Sequence, residues 1–198
     1  LDGFCVATPD LKTLMESYDV PGDIIHVTGI PVRRSFYEQA ARKRPFEKGT
    51  VLVMGGGLGL GNVVDNIRRL DEVDEISKFI VITGKNIDLY EKVAALSDKL
   101  HHPVELHRYT NKVALTGTEA MVMHLPRVLV NTLPGQERAN ALHMKNRGCA
   151  EWVKRGDLAE TARRILRNPD VRSAMAAACG DVHPDSAKDV VNVLYSLL

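Results

Sequence analysis

The sequence predicts an α/β fold built on a parallel sheet with helices on both faces, and three observations predict it. Apolar, β-branched runs such as Thr50-Val51-Leu52-Val53-Met54 alternate along the chain with stretches of helical spacing. Those runs lack the polar alternation of a half-exposed strand, so they belong in a sheet buried on both faces. Polar or glycine-rich loops follow the strands. At 198 residues, 44% of them hydrophobic and 26% charged, the chain has the size and balance of one α/β domain or slightly more, not of a disordered protein.

Taken in order, Phe4 to Ala7 predicts a short buried strand, and Asp10 to Tyr18 a helix with Leu11, Leu14 and Met15 on one side. Ile24 to Val27 predicts a second strand running into the Thr28-Gly29-Ile30-Pro31 turn, where Pro fixes φ and restricts its predecessor. The cationic stretch from Arg33 to Lys48 reads either as a solvated helix or hinge, or as a surface for phosphates or anionic headgroups. Strand Thr50–Met54 then leads through Gly55 to Gly61 into a helix over Asn62–Leu70. Strand Phe79–Thr83 ends in Gly84-Lys85-Asn86 before a helix from Asp88 to Leu100, with His101-His102 as its solvated end. Strand Val104–His107 is followed by a helix around Thr118–His124, a strand over Arg127–Asn131, and a helix from Gln136 to Asn146 opened by Pro134-Gly135. Three helices close the chain, Asp157–Arg167, Asp170–Cys179 and Asp185–Leu198, each expected to start on its Asp.

Lys and Arg number 26 against 25 Asp and Glu, so charge gives no case for nucleic-acid binding. No apolar run approaches the roughly 20 residues that span a bilayer, and mean hydropathy is −0.13. Three cysteines, Cys5, Cys149 and Cys179, without C-x-x-C spacing argue against structural zinc and a disulfide scaffold and fit a reducing cytoplasm. The histidines show no metal-ligand spacing, and no metal or cofactor is expected. The start at Leu1, without initiator Met or targeting segment, reads as a piece of something longer, with processing as the alternative.

In parallel sheets, ligands sit beyond the carboxyl ends of the strands. Here those ends carry Gly55–Gly61, Thr83–Asn86, Tyr109–Asn111 and Asn131–Glu137, four loops on one rim. Glycines ahead of a helix let backbone N–H groups approach an anion. Yet the Walker A pattern fails, because Gly61 is followed by Asn62-Val63. The dinucleotide pattern G-x-G-x-x-G fails as well: its last position falls on Leu60, Asn62 or Val64.

Several segments together carry a resemblance: Thr28-Gly29-Ile30-Pro31-Val32, Gly55-Gly56-Gly57-Leu58-Gly59, Thr83-Gly84-Lys85-Asn86, Leu115-Thr116-Gly117-Thr118-Glu119-Ala120, Leu125-Pro126 and Pro134-Gly135-Gln136-Glu137-Arg138-Ala139-Asn140-Ala141. In this order they resemble the carboxyl-terminal domain of UDP-sugar-dependent glycolipid glycosyltransferases, the monogalactosyldiacylglycerol synthases and processive diacylglycerol glucosyltransferases, which are relatives of the lipid II-forming N-acetylglucosaminyltransferase. The resemblance implies the Rossmann-like C-terminal half of a GT-B fold. It implies residues 1–28 as the end of the amino-terminal acceptor domain and linker, 29–182 as the donor-binding domain, and 183–198 as a C-terminal helix. Catalytic residues are expected in the acceptor domain.

Carried over residue by residue, the resemblance gives Arg33 to a donor phosphate, whose oxygens suit its fork. Gly56, Gly57, Leu58 and Gly59 fall to the diphosphate loop. Tyr109 and Thr110 are given to the uracil edge, and Glu119 to the ribose hydroxyls, both of which a carboxylate accepts. Gln136 and Glu137 are assigned to the hexose, with Asn140 one helical turn on. Thr83, Asn86 and Thr118 complete the set. Plainer readings stand beside these: Arg33 as a surface cation, Glu119 as an ordinary helix residue, Asn140 as a cap or core amide, Asn86 as a turn former. The family pattern also has a strand and a Pro-Gly-Gly-type loop before the Leu-Thr segment, whereas here Asn111-Lys112-Val113 runs almost directly into Ala114-Leu115-Thr116. A mobile loop absent between Val113 and Ala114 is the favoured reading over a true deletion.

The implied activity is inverting transfer of a hexose from a UDP-sugar, a substrate rather than a cofactor, to a diacylglycerol-type lipid. This chain would bind the donor and be inactive alone. Lipid acceptor and membrane surface would be met through the full-length protein, peripherally from the cytoplasm and without nucleic acid. Two alternatives remain open at this point: a lipid II-type UDP-N-acetylglucosamine transferase, and a non-catalytic nucleotide-sugar binding module. An epimerase or dehydrogenase is disfavoured by the failed dinucleotide pattern.

Overall fold

The computed structural model describes residues 1–42, 48–55, 62–108, 117–130, 136–180 and 182–198, with the backbone alone at 136, 137 and 139. Among the described residues strand pairing is parallel throughout, as expected, but falls into three ladders instead of one sheet. Strands β1 (Phe4–Val6) and β2 (Ile25–Val27) pair with each other. Strands β3 (Thr50–Met54), β4 (Lys78–Ile82) and β5 (Val104–His107) form the central ladder in that order. Strands β6 (Arg127–Val130) and β7 (Ala150–Val153) form the third. Val128 and Val130 of β6 nonetheless pack on the same apolar core as Val53 of β3, so the second and third ladders share one interior.

Helix α1 (Pro9–Glu16) covers the first ladder, and α2 (Arg34–Ala41) follows the turn after it. Helices α3 (Val63–Leu70) and α4 (Ile87–Ser97) lie against the central ladder. Short α5 (Gly117–Val122) and longer α6 (Gln136–Asn146) flank β6 in sequence. Helices α7 (Leu158–Arg167), α8 (Pro169–Ala178) and α9 (Ser186–Ser196) end the chain. Ile67, Phe79, Val81 and Val93 are fully buried where α3 and α4 meet the central strands, and α7 packs on both α3 and β6. Two glycines hold these joins. Gly49 has φ +81° ahead of β3, and a Cβ there would come within 2.6 Å of the Glu75 carbonyl oxygen. Gly29 has φ +78°, and a Cβ there would meet Ser186 Oγ at 2.6 Å, so α9 closes directly on the turn that leaves β2.

The structure corrects several expectations. Strand β7 was not anticipated, although Ala150-Glu151-Trp152-Val153 carries β-formers. Cys5 is exposed, because β1 alternates its side chains and buries only Val6. Ile24 ends a tight turn, and β2 begins at Ile25. Helix α4 stops at Ser97, so His101 and His102 lie beyond it, where both backbone N–H groups donate to the buried carboxylate of Asp71, at 2.9 and 3.1 Å. None of the last three helices is capped by the side chain of its predicted Asp. Asp157 and Asp185 make no capping bond, and α8 is capped by Asn168, whose carboxamide oxygen accepts from Asp170 N and Val171 N because Pro169 takes the first helical position.

Candidate functional site

The rim is assembled at the carboxyl ends of β3, β4 and β5. Register pairs Met54 with Ile82 and Ile82 with His107, so the three strands end together. Beyond β4, Thr83 is fully buried: its N–H donates to His107 O at 3.0 Å and its hydroxyl points to the same oxygen at 3.4 Å. Gly84, at φ +64°, donates to Arg108 O at 2.9 Å, which ties the β4 loop to the end of β5. Asn86 caps α4, its side-chain oxygen accepting from Leu89 N at 2.9 Å. Thr83 therefore shapes the rim as a wall, and the Asn86 carboxamide oxygen organises the helix that opens beside it. Asn62 enters α3 at φ +55°, a left-handed conformation uncommon for a residue with a Cβ, directly after the glycine stretch. Arg108 lies over the Tyr90 ring at 4.7 Å, a cation at the end of β5 that motif reading passed over.

A second constellation joins two predicted residues that are 86 positions apart. Arg33 precedes α2 and Glu119 sits in the first turn of α5; Arg33 Nε donates to Glu119 Oε1 at 3.1 Å, and Nη2 lies 3.1 Å from the same oxygen. The Glu119 side chain is 8% exposed, the Arg33 side chain 48%. Arg33 also stacks on Phe36, its Cζ 4.9 Å from the ring centroid. Phe36 is buried in α2, so the arginine is held from two sides. Their spacing, Arg33 and Phe36 three apart at the start of a helix, is the signal that finds this pair.

Helix α5 is anchored by a residue that sequence reasoning missed. Arg127 opens β6 and donates from Nη1 to Gly117 O at 2.5 Å, and from Nε and Nη2 to Cys149 O at 3.4 and 3.2 Å. Burial lowers the Arg127 pKa, with the neighbouring Cys149 and Cys179 opposing that shift. The same burial raises the Cys179 thiol, against the pull of Arg127. A cation opening an otherwise apolar strand is the only sequence cue to this role. Thr118, between Gly117 and Glu119, is half-buried.

Gln136 and Glu137 lie in the first turn of α6, and Asn140 is half-buried one turn further on. The proposed diphosphate loop at Gly56, Gly57, Leu58 and Gly59, the uracil segment at Tyr109 and Thr110, and the Val113–Ala114 junction lie outside the described residues. No cluster of metal-ligating side chains occurs among the described residues, and no helix there is long and apolar enough to cross a membrane.

No family model matches the chain. Among curated proteins it is 26% identical over 221 aligned positions to a processive diacylglycerol β-glucosyltransferase of Bacillus cytotoxicus, covering 98% of the chain and 56% of the relative. To the enzyme of the same name from Bacillus subtilis it is 28% identical over 215 positions, covering 96% and 56%. The chain thus spans about half the length of these relatives. The first alignment is longer than the chain itself, so that relative has segments without counterpart here. Among solved structures, Acinetobacter baumannii MurG superposes with TM-score 0.64 at 16% identity over 97% of the chain and 59% of MurG. A variant of S. aureus TarM, crystallised in a complex that includes UDP, gives 0.63 at 13% identity, over 100% of this chain and 44% of that one. The UDP-GlcNAc 2-epimerase of Neisseria meningitidis, bound to UDP-GlcNAc, gives 0.58 at 15%, over 98% and 61%. These likenesses identify the fold as the Rossmann-like α/β half of a GT-B fold, shared with glycosyltransferases and with an epimerase.

Proposed function

We propose that this chain is the nucleotide-sugar half of an inverting glycosyltransferase that moves a hexose from a UDP-sugar to a diacylglycerol-type lipid. The contact between Arg33 and Glu119 carries this reading. Two residues given separately to the donor by resemblance meet in space, on elements that follow β2 and β5. The curated relatives support the lipid acceptor and the UDP-bound structural neighbours support the nucleotide. On this reading residues 29–182 bind donor, residues 1–28 and 183–198 belong to the join with an acceptor domain, and the protein meets its membrane peripherally from the cytoplasm. The β1–β2 ladder, paired only with itself among the described residues, and the approach of Ser186 to Gly29 support that division.

In the mechanism we propose, Glu119 accepts both ribose hydroxyls, which every uridine nucleotide presents. Backbone N–H groups of the glycine stretch and the α3 start offset charge developing on the leaving diphosphate. Gln136 and Glu137 at the head of α6 read the hexose. The base that deprotonates the acceptor hydroxyl comes from the part of the relatives that this chain does not match.

Titration calorimetry with UDP, ADP and GDP tests the reading. UDP should bind at least about tenfold tighter, the worth of one charge-assisted hydrogen bond or its equivalent; equal affinity for the three sinks it. In the same assay Glu119→Ala should weaken UDP and UDP-glucose alike, whereas Glu137→Ala should weaken UDP-glucose and leave UDP unchanged. Parallel loss of both ligands in Glu137→Ala would remove α6 from the hexose site.

A further inference from the structure

We infer that Arg33 is a positioning residue for the ribose-binding carboxylate, not a phosphate ligand; the inference rests on the donor reading above and revises one of its assignments. Two of the three guanidinium nitrogens, Nε and Nη2, converge on a single oxygen, Oε1 of Glu119. A side-on contact of this kind fixes that oxygen against rotation of the carboxylate, which orients Oε2 as well. The guanidinium is in turn fixed by Phe36, buried in α2, on which it stacks at 4.9 Å. The chain therefore builds a support of three parts: an aromatic platform, a cation, and an almost completely buried acid. The guanidinium presents its Nε and Nη2 side to an acid in the first turn of α5.

The support matters because a carboxylate that must accept two hydroxyls at once tolerates little misorientation. Holding the carboxylate in place does not require Arg33 to touch the nucleotide.

The two roles separate on ligands that lack one group each. Uridine has the ribose hydroxyls without the diphosphate, and 2′,3′-dideoxy-UDP has the diphosphate without the hydroxyls. If Arg33 acts through Glu119, Arg33→Gln weakens UDP and uridine by about the same factor, roughly tenfold, and leaves dideoxy-UDP within about twofold of its original affinity. Arg33→Gln in a Glu119→Gln background should then add nothing, as expected for two residues acting as one unit. Phe36→Leu should reproduce the pattern at smaller amplitude, and Arg33→Lys should restore part of it. These two milder variants keep the test open where Arg33→Gln does not fold. Equal losses on UDP and dideoxy-UDP, with uridine spared, would make Arg33 a phosphate ligand and overturn the inference while leaving the donor reading intact. A parent chain that binds UDP and dideoxy-UDP equally would remove the ribose role of Glu119 and this inference with it, while leaving nucleotide binding in place; one that binds neither would remove the donor reading.

Discussion

Asp71 shows how much one buried acid can hold. It follows α3, yet it accepts from the backbone N–H groups of His101 and His102 and contacts His101 Nδ1 at 2.9 Å, which joins the end of α3 to the turn that launches β5. Burial works against its ionisation, but the hydrogen bonds from His101 and His102 outweigh it and hold the carboxyl below its ordinary range. A carboxyl whose folded pKa is depressed contributes stability that is present above its unfolded pKa of about 4 and is lost as pH falls through the lower folded value. Asp71→Asn should therefore melt below the parent at neutral pH, with the gap narrowing as pH falls from about 4 toward 2. Melting curves across that range check it; a gap independent of pH would mean that the charge contributes nothing. Nothing in the local sequence announces this residue. His101-His102 reads in sequence as a solvated helix end, and what matters there is the peptide N–H groups, which no side-chain motif records.

At the scale of elements, what the sequence made legible is what local physics decides. The alternation of apolar runs with helical spacing located β3 to β6 and the helices between them to within a few residues, because burial on both faces leaves an unbroken apolar signature. Strand β7 escaped because Glu151 breaks that signature, its carboxylate paired at the surface with Arg164 at 2.6 Å. Asp157 and Asp185 do stand at the N-cap positions of α7 and α9, though without a capping bond, whereas at α8 Asp170 lies inside the first turn, where it serves the helix dipole, and Asn168 caps. For the site, the resemblance named Arg33 and Glu119, but neither their contact nor the anchor beneath α5 can be read from residues so far apart in sequence. That anchor is testable. Helix α5 spans only six residues, too few to persist unaided, and Arg127 ties its first carbonyl to that of Cys149. Arg127→Met should leave both carbonyls short of a charged donor and destabilise the chain by about 2–3 kcal/mol. It should also weaken UDP, since Glu119 stands two residues after Gly117. Denaturant unfolding with a UDP titration reads both, and full UDP affinity in a destabilised variant would separate α5 anchoring from the ribose site.

Across the whole molecule, the three parallel ladders differ in what they share. The central ladder and the β6–β7 pair enclose a common apolar interior, bridged by α7, and the rim that carries the proposed donor site belongs to them. The β1–β2 pair stands apart with α1, and the carboxyl end of the chain returns to it: a Cβ at Gly3 would lie 3.2 Å from Leu197 Cδ1. Near that join α9 exposes Val191, Leu194 and Tyr195, while Val27 and Ile30 are exposed around the turn after β2. Binding and turnover should therefore be separable. On our reading the donor site is carried by the rim of the shared core, whereas transfer needs a base and a lipid seat that this reading places in the unmatched part of the relatives. The chain by itself should bind UDP-glucose with measurable affinity, yet release no UDP faster than buffer when given diacylglycerol in mixed micelles. A coupled UDP-release assay beside a binding titration checks both halves at once. Turnover by this chain alone would place the base among its own residues and remove the division between donor and acceptor halves.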